Sequence, residues 1–419
     1  MRSARILLTG SVVLSMLAAI GCRKEEEAPP PEEKVEKVEA KKPEPPPAPK
    51  VPGVSDTEIV IGTTSPQTGP AALWGSVARG TACYFDMINE AGGINGRKLK
   101  LEIRDDGYQP ARTVAATKEL VEQVGVFAMT GGIGTATGLA VKDYLAEKKV
   151  PWVGQGTGST KMTDPMAHNL FAMFPTYNDE AHLLVKYITE NLKKKKIAFF
   201  YQNDDYGKEA LEGARKALEA KKLKLAAEVS VEVTDTDLAS HVMKLKKAKP
   251  QVVILWLMPK HAAITMGTAA KLKFKPQWIT GSTLSDAAFM HKITKGAWEG
   301  VHFDSFFELP DSEHPLIAKY KAAYDKFALK RNDKELWSTF FIAGFLFAEP
   351  LVEAIKNAGP ELTREKVIAE LEKLDKWGGG LHSAVTFGKD NRRGVRSVYL
   401  AKCEKGKAVK TSGYITFGE

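Results

Sequence analysis

The chain has 419 residues, too many for one ordinary domain once a leader is set aside. Its 43% hydrophobic and 26% charged residues are those of a soluble globular protein, and its three cysteines (Cys22, Cys83 and Cys403) exclude a disulfide-dense scaffold. The net charge of +9 comes from scattered lysines; the one run, at residues 193–196, reads as a solvated helix end, and nothing interleaves bases with aromatics as a nucleic-acid partner requires.

Residues 1–22 read as a secretory signal: Arg2 and Arg5, an apolar stretch too short for a comfortable membrane span, then Ala19-Ile20-Gly21-Cys22. Residues 23–55 are low-complexity Glu, Lys, Pro and Ala. They hold too little apolar surface to offset ordering entropy, so a disordered tether is expected.

From Asp56 strand-like and helical runs alternate. EIVIG, KLKLEIRDD, the apolar run at 124–129 and VPWVGQG read as strands, with helices expected over 75–91, 113–123 and from Thr135 onward. The pattern then restarts: helix over 179–192, KIAFFYQ, helix over 207–221, LKLAAEVSV, helix over 238–247, QVVILWLM, helix over 261–272, and QWITGS. Two α/β units follow, each with a mostly parallel sheet covered on both faces. Helices are also expected over 315–330, 339–358 and 363–374, before a hairpin-patterned tail turning at Asp390-Asn391 and Lys405-Gly406.

The chain is organised around FAMTGGIGTATGLAVKDYL, residues 127–145. An apolar strand enters a small-residue loop, and Thr135 stands near the N-cap of the next helix. Free amides and the positive dipole end suit a carboxylate there. A tight turn that binds nothing is the alternative.

Several stretches, taken together, resemble a known family. IGTTSPQTGPAALWG, INEAGGINGRKLKLEIRDDGYQP, TGGIGTATGLA, VPWVGQGTGSTKMTDP, FFYQNDDYG, WITGSTLSD and VTFGKDNRRG run in that family's order through residues 56–419. They resemble type I periplasmic substrate-binding proteins of branched-chain amino acid ABC transporters, the Leu/Ile/Val-binding proteins. The leader resembles a lipobox, with Ala19 where Leu is usual; lipidation of Cys22 is expected, a plain cleaved signal being the alternative.

The resemblance implies an α/β fold of two doubly wound parallel-sheet lobes joined by three hinge crossings. Lobe 1 would take residues 56–176 and 305–383, and lobe 2 residues 177–304 and 384–419, with hinges near Phe306-Phe307 and Phe387-Gly388. It implies a monomer anchored to a membrane by lipid, closing on an amino acid or organic acid and handing it to an ABC transporter permease, without cofactor.

It further implies a carboxylate site at Thr135 and in the loop of Gly156, Thr157 and Ser159, although Gly158 stands where the family has Thr. Trp74, Tyr206 and Trp256 are expected as aromatic walls, each with core packing as its alternative. Asp204 and Asp205 are expected to cap the following helix. The family's ammonium-binding carboxylate is replaced by Ser282, so either another acid such as Asp286 serves or the ligand has no α-ammonium, as in an aromatic acid or an amide. Cys83 and Cys403 are read as buried thiols, with a disulfide as the alternative. No metal motif and no nucleophile–base pair is present, so an enzyme is not expected; a ligand sensor for a membrane receptor is a second possibility.

Overall fold

A computed structural model describes residues 51–418; the leader, Cys22 and most of the low-complexity segment lie outside them. The first half alternates β1 (Glu58–Ser65), α1 (Ser76–Glu90), β2 (Lys98–Asp105), α2 (Pro110–Lys118), β3 (Ala128–Thr130), α3 (Thr135–Glu147), β4 (Trp152–Val153) and β5 (Leu170–Phe171). All its pairings are parallel, in the order β2-β1-β3-β4-β5.

The second half runs α4 (Tyr177–Glu190), β6 (Ile197–Gln202), α5 (Asp205–Glu219), β7 (Ala227–Val231), α6 (Ala239–Ala248), β8 (Val252–Trp256), α7 (Pro259–Lys271), β9 (Gln277–Thr280), α8 (Ala287–Ile293) and β10 (His302–Ser305). β6 (IAFFYQ) and β8 (VVILW) are buried almost throughout, as strands covered on both faces must be. Its parallel strands lie in the order β7-β6-β8-β9-β10, which repeats the arrangement of the first sheet. The hairpin of β11 (Ser397–Glu404) and β12 (Lys407–Thr416) extends this sheet antiparallel from β10.

Between β10 and β11 the chain returns to the first lobe with α9 (Pro315–Ala323), α10 (Leu329–Arg331), α11 (Thr339–Ala358) and α12 (Arg364–Leu371). α11 crosses α1 at a glycine pair. A Cβ on Gly80 would collide with the Phe341 carbonyl, and one on Gly344 with that of Val77. Thr81 Oγ1 donates to the Gly344 carbonyl across the same contact at 2.8 Å. Arg364 on α12 donates to the carbonyls of Val126 and Phe127 at 2.7 and 2.8 Å, just before β3.

The chain passes between the lobes three times: after β5, after β10 and ahead of β11. The passages are tied together. Ala172 N–H donates to the Arg392 carbonyl at 2.8 Å, and Glu308 N–H to that of Leu381 at 2.9 Å.

Local differences from the sequence reading have local causes. The helix expected from residue 113 begins at Pro110, whose fixed φ suits a first helical position, and it loosens into a π turn (Glu119–Val124) ended by Gly125 at φ 71°. A second π turn, Tyr324–Ala328, divides the helix expected over 315–330. The tail's first hairpin is only a turn at Gly388 and Asn391, because its flanks pair elsewhere, Val385 with Trp377 and Arg393 with Ala172. Residues 51–54, expected in the tether, pack on the domain: Val51 and Val54 lie against the core, and the Gly53 carbonyl accepts from Val60 N at 2.8 Å. Cys83 and Cys403 are free, buried thiols, pushed up by that burial to about 12 and about 11.

Candidate functional site

Loops at the carboxyl ends of both sheets meet across a cavity, the place where open α/β sheets bind ligands. Its volume not taken by atoms is ≈ 580 Å³. Lobe 1 contributes Trp74 from a 3₁₀ turn after β1, Gly134 from the loop after β3, Gly156 from the loop after β4, and Phe340 and Phe347 from α11. Lobe 2 contributes Tyr177, Tyr206, Ser282 and Thr283. Nine of the seventeen lining residues are aromatic and none carries a charge.

The rings form a continuous wall. Trp74 meets Tyr108 at 5.6 Å and, edge-on, Tyr206 at 6.2 Å; Tyr206 meets Tyr177 at 5.2 Å. Phe174 joins Tyr177 (5.8 Å) to Phe306 (4.6 Å) at the passages between the lobes. Edge-to-face contact of this kind fixes ring orientation. Burial pushes the Tyr108 and Tyr206 phenols well above their usual range, so both stay neutral.

The α3 end of the cavity is built from main chain. Gly134 is the N-cap at φ 108°, a conformation that favours glycine, and Thr135 is the first helical residue rather than the cap. Gly134 N–H donates to the Gly156 carbonyl at 3.2 Å, which fixes the two loops together. The hydroxyls of Thr135 and Thr157 bond to each other at 2.7 Å. One O–H is used in that bond, which leaves the other proton of the pair to donate elsewhere.

The expected site residues therefore separate. Trp74, Gly156, Tyr206 and Ser282 line the cavity. Thr135 and Thr157 do not; both are buried and sit directly behind Gly134 and Gly156. Ser159 is turned away, its Oγ donating to Glu209 at 2.5 Å. Trp256 is fully buried behind the wall, edge-on to Tyr177 at 5.7 Å and beneath Gly281, where a Cβ would press on the indole. Sequence reasoning missed Tyr108, Tyr177, Phe340 and Phe347. Tyr108 follows Asp106-Gly107 in a loop without periodicity, and the α11 residues look like any helix buried all round.

Three carboxylates bond lining residues or their neighbours from behind. Asp286 accepts from Phe289 N (2.8 Å) and Thr339 N (2.6 Å), so it caps α8 and the start of α11 together. Asp204 caps α5 through Gly207 N (3.2 Å), accepts from Gln202 (2.5 Å) and lies 3.4 Å from the Tyr108 hydroxyl. Asp205 is the first residue of α5 rather than its cap. Glu180 accepts from Ser282 N at 3.0 Å and is fully buried beside Asp304. Burial raises both members of that pair, and the Glu180 charge raises Asp304 further, so they retain a proton between them. The hydroxyls of Ser282 and Thr339, both lining residues, stand beside Glu180 and Asp286 and favour their charged forms.

Residues 58–408 match the family model described as periplasmic binding protein. The Leu/Ile/Val-binding protein BraC3 of Rhizobium johnstonii is 27% identical over 363 residues, 85% of this chain and 94% of its own length. A substrate-binding periplasmic protein from Ralstonia solanacearum is 28% identical with a TM-score of 0.78, covering 84% of this chain and 100% of that one. A branched-chain amino acid ABC transporter structure from Thermus thermophilus, with bound valine, has a TM-score of 0.79 at 19% identity, over 87% and 98% of the two chains; it speaks to the fold alone.

Proposed function

This chain belongs to the periplasmic binding protein family, and from that premise we propose that it captures a small carboxylated solute between its lobes and delivers it to the permease of an ABC importer. The observation that carries this reading is the cavity, built from the carboxyl ends of two like-ordered sheets and lined from both. Such a site binds by closing; it makes and breaks no bond.

The acid end of the solute lies against Gly134 and Gly156, where the first amides of α3 are the donors and the Thr135–Thr157 bond behind them holds the two loops in place. The apolar remainder packs on Trp74, Tyr206 and their neighbours. The similarity to a Leu/Ile/Val-binding protein supports transport of this general type. Calorimetry with a panel of amino and organic acids tests the reading. A carboxylated ligand must bind one to one, and Thr135→Ala must weaken it; no binding by any member of a broad metabolite library overturns it.

Lipidation at Cys22 and a monomeric state belong to the same proposal. Labelling with a radioactive fatty acid, in the wild type and in Cys22→Ala, checks the anchor. Sedimentation of residues 51–419 checks the monomer.

A further inference from the structure

We propose that the guest of this cavity is an apolar or aromatic carboxylate with no ammonium group. The inference rests on the solute-capture reading above and narrows its ligand class. A closed cavity must supply a partner for every charge it takes from water, because an unpaired buried ion is costly. Here no lining side chain is charged. An acid has main-chain donors at α3, as argued above. An α-ammonium has only acceptors that are neutral.

The acids nearby do not alter this. Asp286 is held by N-terminal amides of two helices, and Asp204 by one helix amide, Gln202 and Tyr108. Turning either toward a ligand would uncap a helix. Glu180 stands behind Ser282, accepts its N–H and shares a proton with Asp304. The one charge that pair keeps lies beneath Ser282, outside the lining, and is already bonded by the Ser282 main chain.

The polar side chains of the lining are neutral as well. Ser282, Thr283 and Thr339 are hydroxyls; the first and last lie against Glu180 and Asp286 behind the wall and favour their charge, and Thr283 Oγ1 bonds the Tyr206 hydroxyl at 2.7 Å. The aromatic wall from Trp74 to Phe306 supplies flat, apolar contact for that body.

The test uses matched pairs on the wild-type protein by calorimetry: phenylalanine against 3-phenylpropanoate, and leucine against 4-methylpentanoate. The expected result is that each deaminated acid binds roughly a hundredfold or more tighter than its amino acid, the amino acid paying for an unpaired cation. An amino acid that binds as tightly as its partner, or tighter, overturns the inference and leaves the capture reading intact. Silence from all four compounds overturns the inference, and the capture reading then stands or falls on the library screen. A second arm uses Ser282→Asp. Installing a carboxylate in the lining is expected to narrow or reverse the preference; an unchanged preference in a variant that melts like the wild type counts against the site.

Discussion

Ser159 Oγ donates to Glu209 Oε2 at 2.5 Å, and that contact joins a loop of the first lobe to α5 of the second. Thr160 donates to the other oxygen twice, through N–H at 2.5 Å and Oγ1 at 2.6 Å. One side chain thus receives three bonds from the opposite lobe. Lys161 adds an exposed ion pair with Asp205 at 3.0 Å, of little energetic weight.

Glu209→Ala is expected to favour separated lobes. Bonds to a carboxylate each contribute more than neutral ones, so ligand affinity should fall by about ten- to a hundredfold. Small-angle scattering of the unliganded variant should show a larger radius of gyration than the wild type. Equal radii and equal affinities would mean that this contact does not govern closure.

Trp74→Ala should lower ligand affinity by about a hundredfold, because it removes a wall that meets Tyr206 from across the cavity. Trp256→Phe should leave affinity within about threefold, since that indole touches Tyr177 and Tyr206 from behind and not the cavity. Calorimetry on the two variants separates a wall from its support; the reverse ranking would misassign them.

Stability should depend on pH through buried carboxyls. Burial pushes Glu349 up from an ordinary 4.5 to about 7, against the Tyr320 hydroxyl and Leu381 N–H that favour its charge. The folded protein therefore holds a proton that the unfolded chain has released. The contribution is whole below pH 4.5 and is lost as pH rises through about 7, up to an order of 3 kcal/mol. The Glu180–Asp304 pair acts in the same direction. Urea unfolding at several pH values should show Glu349→Gln declining less steeply than wild type over that window; parallel curves refute the assignment.

Two glycine substitutions should move stability in opposite directions. Gly80→Ala forces a methyl group into the Phe341 carbonyl at the α1–α11 crossing and should cost about 3 kcal/mol. Gly267→Ala, inside α7 with open space where the methyl would go, should add about 0.5–1 kcal/mol by restricting the unfolded chain. Thermal melts of both variants check the pair.

Much of this was legible in the chain. KIAFFYQ and QVVILWLM are apolar runs of strand length between helical patterns, and they became adjacent parallel strands. The turn at residues 130–134 announced a strand-to-helix junction, and Gly134 lines the cavity there. Trp74 in LWG and Tyr206 in DDYG could be picked out because the family resemblance implies an aromatic wall at each, and both line the cavity.

What stayed hidden depends on partners distant in sequence. The polarity of Thr135 and Thr157 was readable, but not that each would satisfy the other. Ser159 gave no sign of a carboxylate fifty positions along the chain. Phe340 and Phe347 lie on a helix whose every face is apolar, so periodicity could not say which side met a ligand.

The three passages between the lobes carry one more implication. The last is bonded to both others, Arg392 to Ala172 and Leu381 to Glu308, so none can bend alone. Parallel straps fastened side by side resist sliding and yield chiefly to rotation about a common line. Solute must then enter and leave by the rim opposite that line.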